Sequence, residues 1–146
     1  HPDRAAMLSS LGLALQARFE RVGQMTDLDA AIDAGRAAVE TTPPDHPNRA
    51  GLLSNLGLAL RARFERVGQM TDLDAAIDAG RAAVETTPPD HPDRAMYLSN
   101  LGLALQVRFE RVGQMTDLDA AIDAGRAAVE TTPPDHPDRA AMLSSL

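Results

Sequence analysis

RFERVGQMTDLDAAIDAGRAAVETTPPD, residues 18–45, recurs unchanged at residues 63–90 and again at residues 108–135. Around it, His1, His46, His91 and His136 each open the same phrase, which sets a period of 45 residues, the spacing from His1 to His46. Self-similarity at a fixed period of ~20–50 residues marks a solenoid, because one supersecondary unit cannot bury its apolar face alone and stacks on a neighbour of its own kind. The expected organisation is therefore a single repeat array over residues 1–146, with full units at 1–45, 46–90 and 91–135 and a partial fourth at 136–146 whose wording, HPDRAAMLSSL, copies residues 1–11. The chain opens without Met and stops inside a unit, which is expected of a piece of a longer array.

Within one unit the apolar residues turn with helical period. Leu8, Leu11, Gly12, Leu15, Phe19 and Val22 fall on one stripe of a first helix, helix A, and Leu28, Ala31, Ile32, Gly35, Ala38 and Val39 fall on one stripe of a second, helix B. Gly23 ends helix A, since glycine enters the left-handed conformation without a Cβ clash. Pro43 and Pro44 stop helix B. The turn Asp45, His46, Pro47 predicts the next helix A, with the Asp45 side chain capping free N–H groups, and Thr26 with Asp29 predicts a capping box at the head of helix B. Asp27 adds negative charge near the positive end of that helix dipole. Gly12 and Gly35 sit mid-helix on both core stripes, where glycine costs about 1 kcal/mol relative to alanine. That cost is expected to be offset by close approach of helix backbones, with Leu11, Leu15 and Ile32 filling the space around them.

Composition sets what such an array can hold. The chain is 44% hydrophobic but only 3% aromatic, so Leu, Ile, Val and Ala must fill the seams between helices. The absence of Cys removes disulfides, thiol nucleophiles and zinc–thiolate sites. The longest apolar run, of the LGLAL kind, is far below the roughly 20 residues of a membrane span, and no signal peptide is discernible. A cytoplasmic, soluble protein with no membrane partner is the expectation. All 14 basic residues are Arg against 21 acidic ones, for a net charge of −7, and no unit carries a basic face or stacking aromatics, so nucleic acid is not expected as a partner.

Leu8, Leu11, Gly12 and Leu15 have the spacing of the tetratricopeptide first helix, W-x2-L-G-x2-Y, and Ala31, Gly35, Ala38 and Pro43 match its A-x3-F-x2-A-x4-P second half. The chain thus resembles the tetratricopeptide repeat (TPR) family, in a variant longer than the usual ~34 residues. The resemblance implies an all-α, right-handed, TPR-like superhelical solenoid of antiparallel helix pairs, acting as a protein–protein interaction scaffold through a concave groove lined by helix A. The wording is also similar to long arrays that accompany caspase-like CHAT or signalling NTPase domains, which implies a regulatory arm for such a domain as an alternative function.

The residues themselves offer little chemistry. One His per unit, never paired with another at i+4, suits a solvated helix entrance better than a metal site. There is no G-x-S-x-G elbow, no HExxH and, without Lys, no Walker A motif. The chain reads as no enzyme, and no cofactor is implied. Comparison of the units is more informative, because among the three full ones only six positions vary, all at or near helix A. The positions of Ala6, Ser10 and Ala17 cluster on the side opposite the Leu8 to Val22 stripe, and Leu13, Leu58 and Leu103 form an unchanged apolar row in the same sector. The candidate protein-binding residues are accordingly Ser10, Leu13, Gln16, Ala17, Asn55, Leu58, Arg61, Met96, Asn100, Leu103, Gln106 and Val107. The partner expected there is a protein or peptide, a mildly apolar helix or extended segment. Against this stands the simpler reading that exposed positions drift while Leu13 packs on the adjacent unit. A last expectation is weak end-to-end self-association through matching termini, including Leu143 and Leu146.

Overall fold

The same glycine closes the first helix of every repeat. Gly23, Gly68 and Gly113 stand at φ 84°, 86° and 84°, and each donates its N–H to the carbonyl of the phenylalanine four residues earlier at 2.7 Å, as expected of a left-handed cap. A computed structural model of the chain, describing residues 3–132, places these caps at the ends of α1 (Arg4–Val22), α3 (Arg49–Val67) and α5 (Arg94–Val112). Two residues later the chain re-enters helix as α2 (Met25–Glu40), α4 (Met70–Thr86) and α6 (Met115–Thr131). Among the described residues the fold is all-α, with α1 packed on α2, α3 on α4 and α5 on α6 as antiparallel hairpins. The expected partial fourth unit, with Leu143 and Leu146, lies outside the described residues. The chain divides into two compact units, residues 1–86 carrying α1 to α4 and residues 87–146 carrying α5 and α6. Within the first, α3 also packs against α2.

Helix entry differs from the sequence expectation. No side-chain cap forms on α1, α3 or α5, whose caps Asp3, Asn48 and Asp93 already have near-helical backbone. The donor expected to meet Asp45 is taken by the imidazole instead: His46 Nδ1 accepts from the Asn48 N–H at 3.0 Å, and His91 Nδ1 from the Asp93 N–H at 3.1 Å. The Thr26–Asp29 capping box does not form either. The helix starts one residue before Thr26, at Met25, because the two-residue link from Gly23 leaves no room for a longer entry, and the Asp27 N–H closes the first turn on the Gln24 carbonyl at 3.1 Å. At the far end, Thr42 Oγ1 donates to the Ala38 carbonyl at 2.7 Å. Arg49, from the next helix, donates to the carbonyls of Val39 and Thr42 at 3.0 and 2.8 Å, satisfying groups that a helix C-terminus leaves open.

The mid-helix glycines do bring backbones together, though the neighbours differ from those expected. A Cβ on Gly12 would meet the Ala31 carbonyl oxygen at 3.3 Å, one on Gly57 the Ala76 oxygen at 3.3 Å, and one on Gly102 the Ala121 oxygen at 3.4 Å. Helix A therefore lies directly on the backbone of its own helix B. Gly35 instead faces the next repeat, where the added carbon would be 3.4 Å from Leu56 Cδ1. The rest of the stripe behaves unevenly. Phe19 and Phe64 are buried, but Val22, Val67 and Val112 are exposed, because each is the last residue before the chain reverses and the helix pair ends there. Leu11 is 51% exposed whereas its counterpart Leu56, which rests on Gly35 of α2, is 9% exposed.

One interaction recurs in all three hairpins that residue spacing alone does not suggest. Arg18 grips Asp27 side-on, Nε to Oδ2 at 2.8 Å and Nη2 to Oδ1 at 2.6 Å. Arg63 grips Asp72 at 3.0 and 2.8 Å, and Arg108 grips Asp117 at the same two distances. Such forked pairs fix orientation as well as charge, and they tie the end of helix A to the start of helix B across the Gly-Gln turn. Arg63 also reaches back to Asp29 of the preceding repeat at 3.1 Å, and Arg66 lies 5.0 Å over the Phe19 ring. Hydrogen bonding from Arg18 is the main cause that lowers the Asp27 carboxyl below its ordinary range, with burial opposing. The Arg63 guanidinium is raised chiefly by its bond to Asp72.

Two outcomes follow from this packing. Gly57→Leu drives a branched side chain against the Ala76 backbone and costs about 1–3 kcal/mol, so its melting temperature falls well below that of Gln106→Leu at an exposed site; equal melting temperatures would remove the close-approach account. The second concerns acid. A carboxyl whose folded pKa lies below its unfolded value stabilises the fold fully above the ordinary carboxylate range and loses that contribution as pH falls through the lowered value. Asp27→Asn should therefore flatten the decline of stability with acidification, measured by denaturant unfolding at a series of pH values, whereas an unchanged slope would show that the Arg18 fork carries no linkage.

Candidate protein-binding groove

Two helices of the A type and one of the B type enclose a shallow cleft in the first compact unit. α1 supplies Ser9, Gly12, Leu13 and Gln16 to one wall, α3 supplies Leu52, Asn55, Leu56 and Ala59 to the other, and α2 supplies Ala31, Gly35 and Ala38 between them. The cleft exists because α2 presents small residues at i, i+4 and i+7, one stripe of a helix. Glycine at 12 and 35 lets both A helices approach that stripe.

The lining carries no charge. Its polar groups are the Ser9 hydroxyl and the Gln16 and Asn55 amides, which both donate and accept, beside the half-exposed Leu13. Such a surface provides dispersion contacts over a small-residue floor with a few hydrogen bonds to set register. It holds no titratable group for proton transfer, and no cluster of three or more His, Cys, Asp or Glu able to hold a metal occurs among the described residues.

Of the candidate residues, Leu13, Gln16 and Asn55 come together in this cleft. Ser10 and Ala17 are exposed on α1 without lining it, and Leu58 and Arg61 are half-buried on α3. Arg61 lies 3.6 Å from Glu65 one turn on, a pair of the i,i+4 kind. In the second unit α5 carries Met96, Leu103 and Gln106 exposed and Asn100 and Val107 half-buried. The row of unchanged leucines is uneven, since Leu13 and Leu103 are about half exposed at 49% and 48% while Leu58 is more covered.

Two parts of the pattern escaped the sequence. The helix-B stripe places Ala31, Gly35 and Ala38 in the core, yet they also bound the cleft; a run of small side chains on that stripe is the available signal. The variable position Met7, Leu52, Tyr97 behaves as a packing site in two of its three occurrences. Leu52 and Tyr97 are buried, and burial, with a smaller effect of Asp93, raises the Tyr97 phenol above its ordinary value.

Comparison with known proteins agrees with this architecture. Residues 49–93 match the family described as Tetratricopeptide repeat, a span that runs from the start of α3 through α4 to the entry of α5. No curated protein matches the chain. Residues 63–90 within that span are repeated without change at 18–45 and 108–135 and the same hairpin recurs at each, so the match supports a tetratricopeptide repeat in every unit.

Proposed function

We propose that this array is a protein-interaction scaffold and that the cleft between α1 and α3 seats a mildly apolar helix or extended segment of its ligand. The observation that carries this reading is the floor of Ala31, Gly35 and Ala38 between walls bearing Leu13, Gln16 and Asn55. A small-residue floor admits a side chain from outside. Leu13, almost half exposed, supplies apolar contact of the kind that anchors helix-in-groove recognition, and the two amides supply the polar contacts that fix a bound segment in place. The remaining candidates, Ser10, Ala17, Leu58 and Arg61 in the first unit and Met96, Asn100, Leu103, Gln106 and Val107 in the second, would extend contact along the A helices. The tetratricopeptide repeat match over residues 49–93 supports the scaffold reading at this level, with no catalytic role and no cofactor in the proposal.

Selection of a displayed random-peptide library on the immobilised chain tests it. Enriched peptides should lose affinity by about tenfold or more for Leu13→Arg and for Asn55→Asp, with helical circular dichroism unchanged in both variants. Peptides that bind wild type and both variants alike, or a library that yields no enriched binder, would reject the cleft as the binding surface.

A further inference from the structure

Gln16 and Arg61 hold the same place in two copies of helix A, and each is followed one turn later by the same carboxylate, Glu20 on α1 and Glu65 on α3. On α3 the arginine answers the acid, with Arg61 Nε 3.6 Å from Glu65 Oε1. On α1 the neutral amide cannot. Glu20 is exposed, and no ion pair reaches it among the described residues. Gln106 and Glu110, both exposed, repeat the α1 arrangement on α5. A change at one of the six variable positions therefore decides whether helix A shows a compensated charge or an open one.

Glu20 belongs to the cleft wall by its position. At helical period it points between the directions of Leu13 and Gln16, and it stands about 6 Å beyond Gln16 along α1, past the uncharged lining that those two residues help to form. The two arginines that α3 sends toward this end of the hairpin are engaged elsewhere: Arg63 by Asp72 and Asp29, and Arg66 by the Phe19 ring and the Gly23 carbonyl. The repeated block itself, with three arginines against six carboxylates, adds a negative field that favours cationic ligands. Resting on the cleft reading above, we infer that the segment seated between α1 and α3 carries a lysine or arginine beside its uncharged part, placed to meet Glu20. Residue 16 sets this preference by withholding the partner that residue 61 supplies to Glu65. In an extended ligand the separation of about 6 Å corresponds to roughly two residues, and in a helical one to about one turn.

The displayed peptide library tests this inference with two further variants, Glu20→Gln and Gln16→Arg. The second copies a residue that the same helix already carries at position 61, and circular dichroism checks that both remain helical. Peptides enriched on the wild-type chain should carry an excess of Lys and Arg, and one such peptide should bind each variant about two- to fivefold more weakly at low salt, the range of an exposed ion pair. High salt should shrink that difference. Replacing the peptide's basic residue by Gln should abolish the effect of Glu20→Gln, as a double-mutant cycle requires of a direct pair. Enriched peptides with no basic excess overturn the inference, as does an affinity that Glu20→Gln leaves unchanged or a loss that persists without the peptide's basic residue. Peptides of any of these kinds that still lose binding on Leu13→Arg leave the cleft reading standing, whereas a library without binders rejects both.

Discussion

The contact on which every hairpin depends is the approach of Gly12, Gly57 and Gly102 to the backbone carbonyls of Ala31, Ala76 and Ala121. At a virtual Cβ distance of 3.3–3.4 Å there is no space for a side chain without a shift of one helix. Helix A is thereby held against helix B at backbone distance, and the alanines at 34, 79 and 124, all buried, close around the contact. Once the hairpin is this tight, Gly23 and its equivalents can reverse the chain in two residues, and Arg18 can meet Asp27 nine residues on. The forked pair then secures the helix ends that the glycine contact alone leaves free to splay. It also satisfies a carboxylate that burial would otherwise penalise.

Between hairpins the linkage is of another kind. Leu56 fills the space over Gly35, and the arginines of α3 reach back to an aspartate, an aromatic ring and terminal carbonyls of the repeat before. Apolar filling gives the stabilisation and the arginines give the register, since each demands a particular partner at a particular height along α2. A repeat protein built this way has stability that is a sum over neighbours.

Much of this was legible in the residues. The 45-residue period, the helical stripes, the glycine caps and the proline stops are local statements, and local rules decide them. Close packing at Gly12 and Gly35 could also be anticipated, because a mid-helix glycine on a core stripe needs compensation. The details that were missed are those set by how two helices meet. A spacing of nine residues from Arg18 to Asp27 is no helical neighbour relation and becomes one only when the turn between them is two residues long. Asp45 and Thr26 were plausible caps by residue type, but the short turns move each helix start and give the entry of α3 to His46. For the site, the A-helix pattern pointed to Leu13, Gln16 and Asn55, while the floor of the cleft was hidden inside a stripe of small residues that also serves the core.

The account holds that neighbouring repeats, more than intrinsic helix preference, determine how firmly each A helix is fixed. α1 and α3 provide a matched comparison, being nearly identical in sequence and differing in cover. Hydrogen exchange at dilute protein concentration measures this directly, because amide protection reports the local opening free energy. Amides of residues 56–64 in α3 should exchange markedly more slowly than those of residues 11–19 in α1. Equal protection of the two segments would contradict the account and would mean that each hairpin is stable on its own terms.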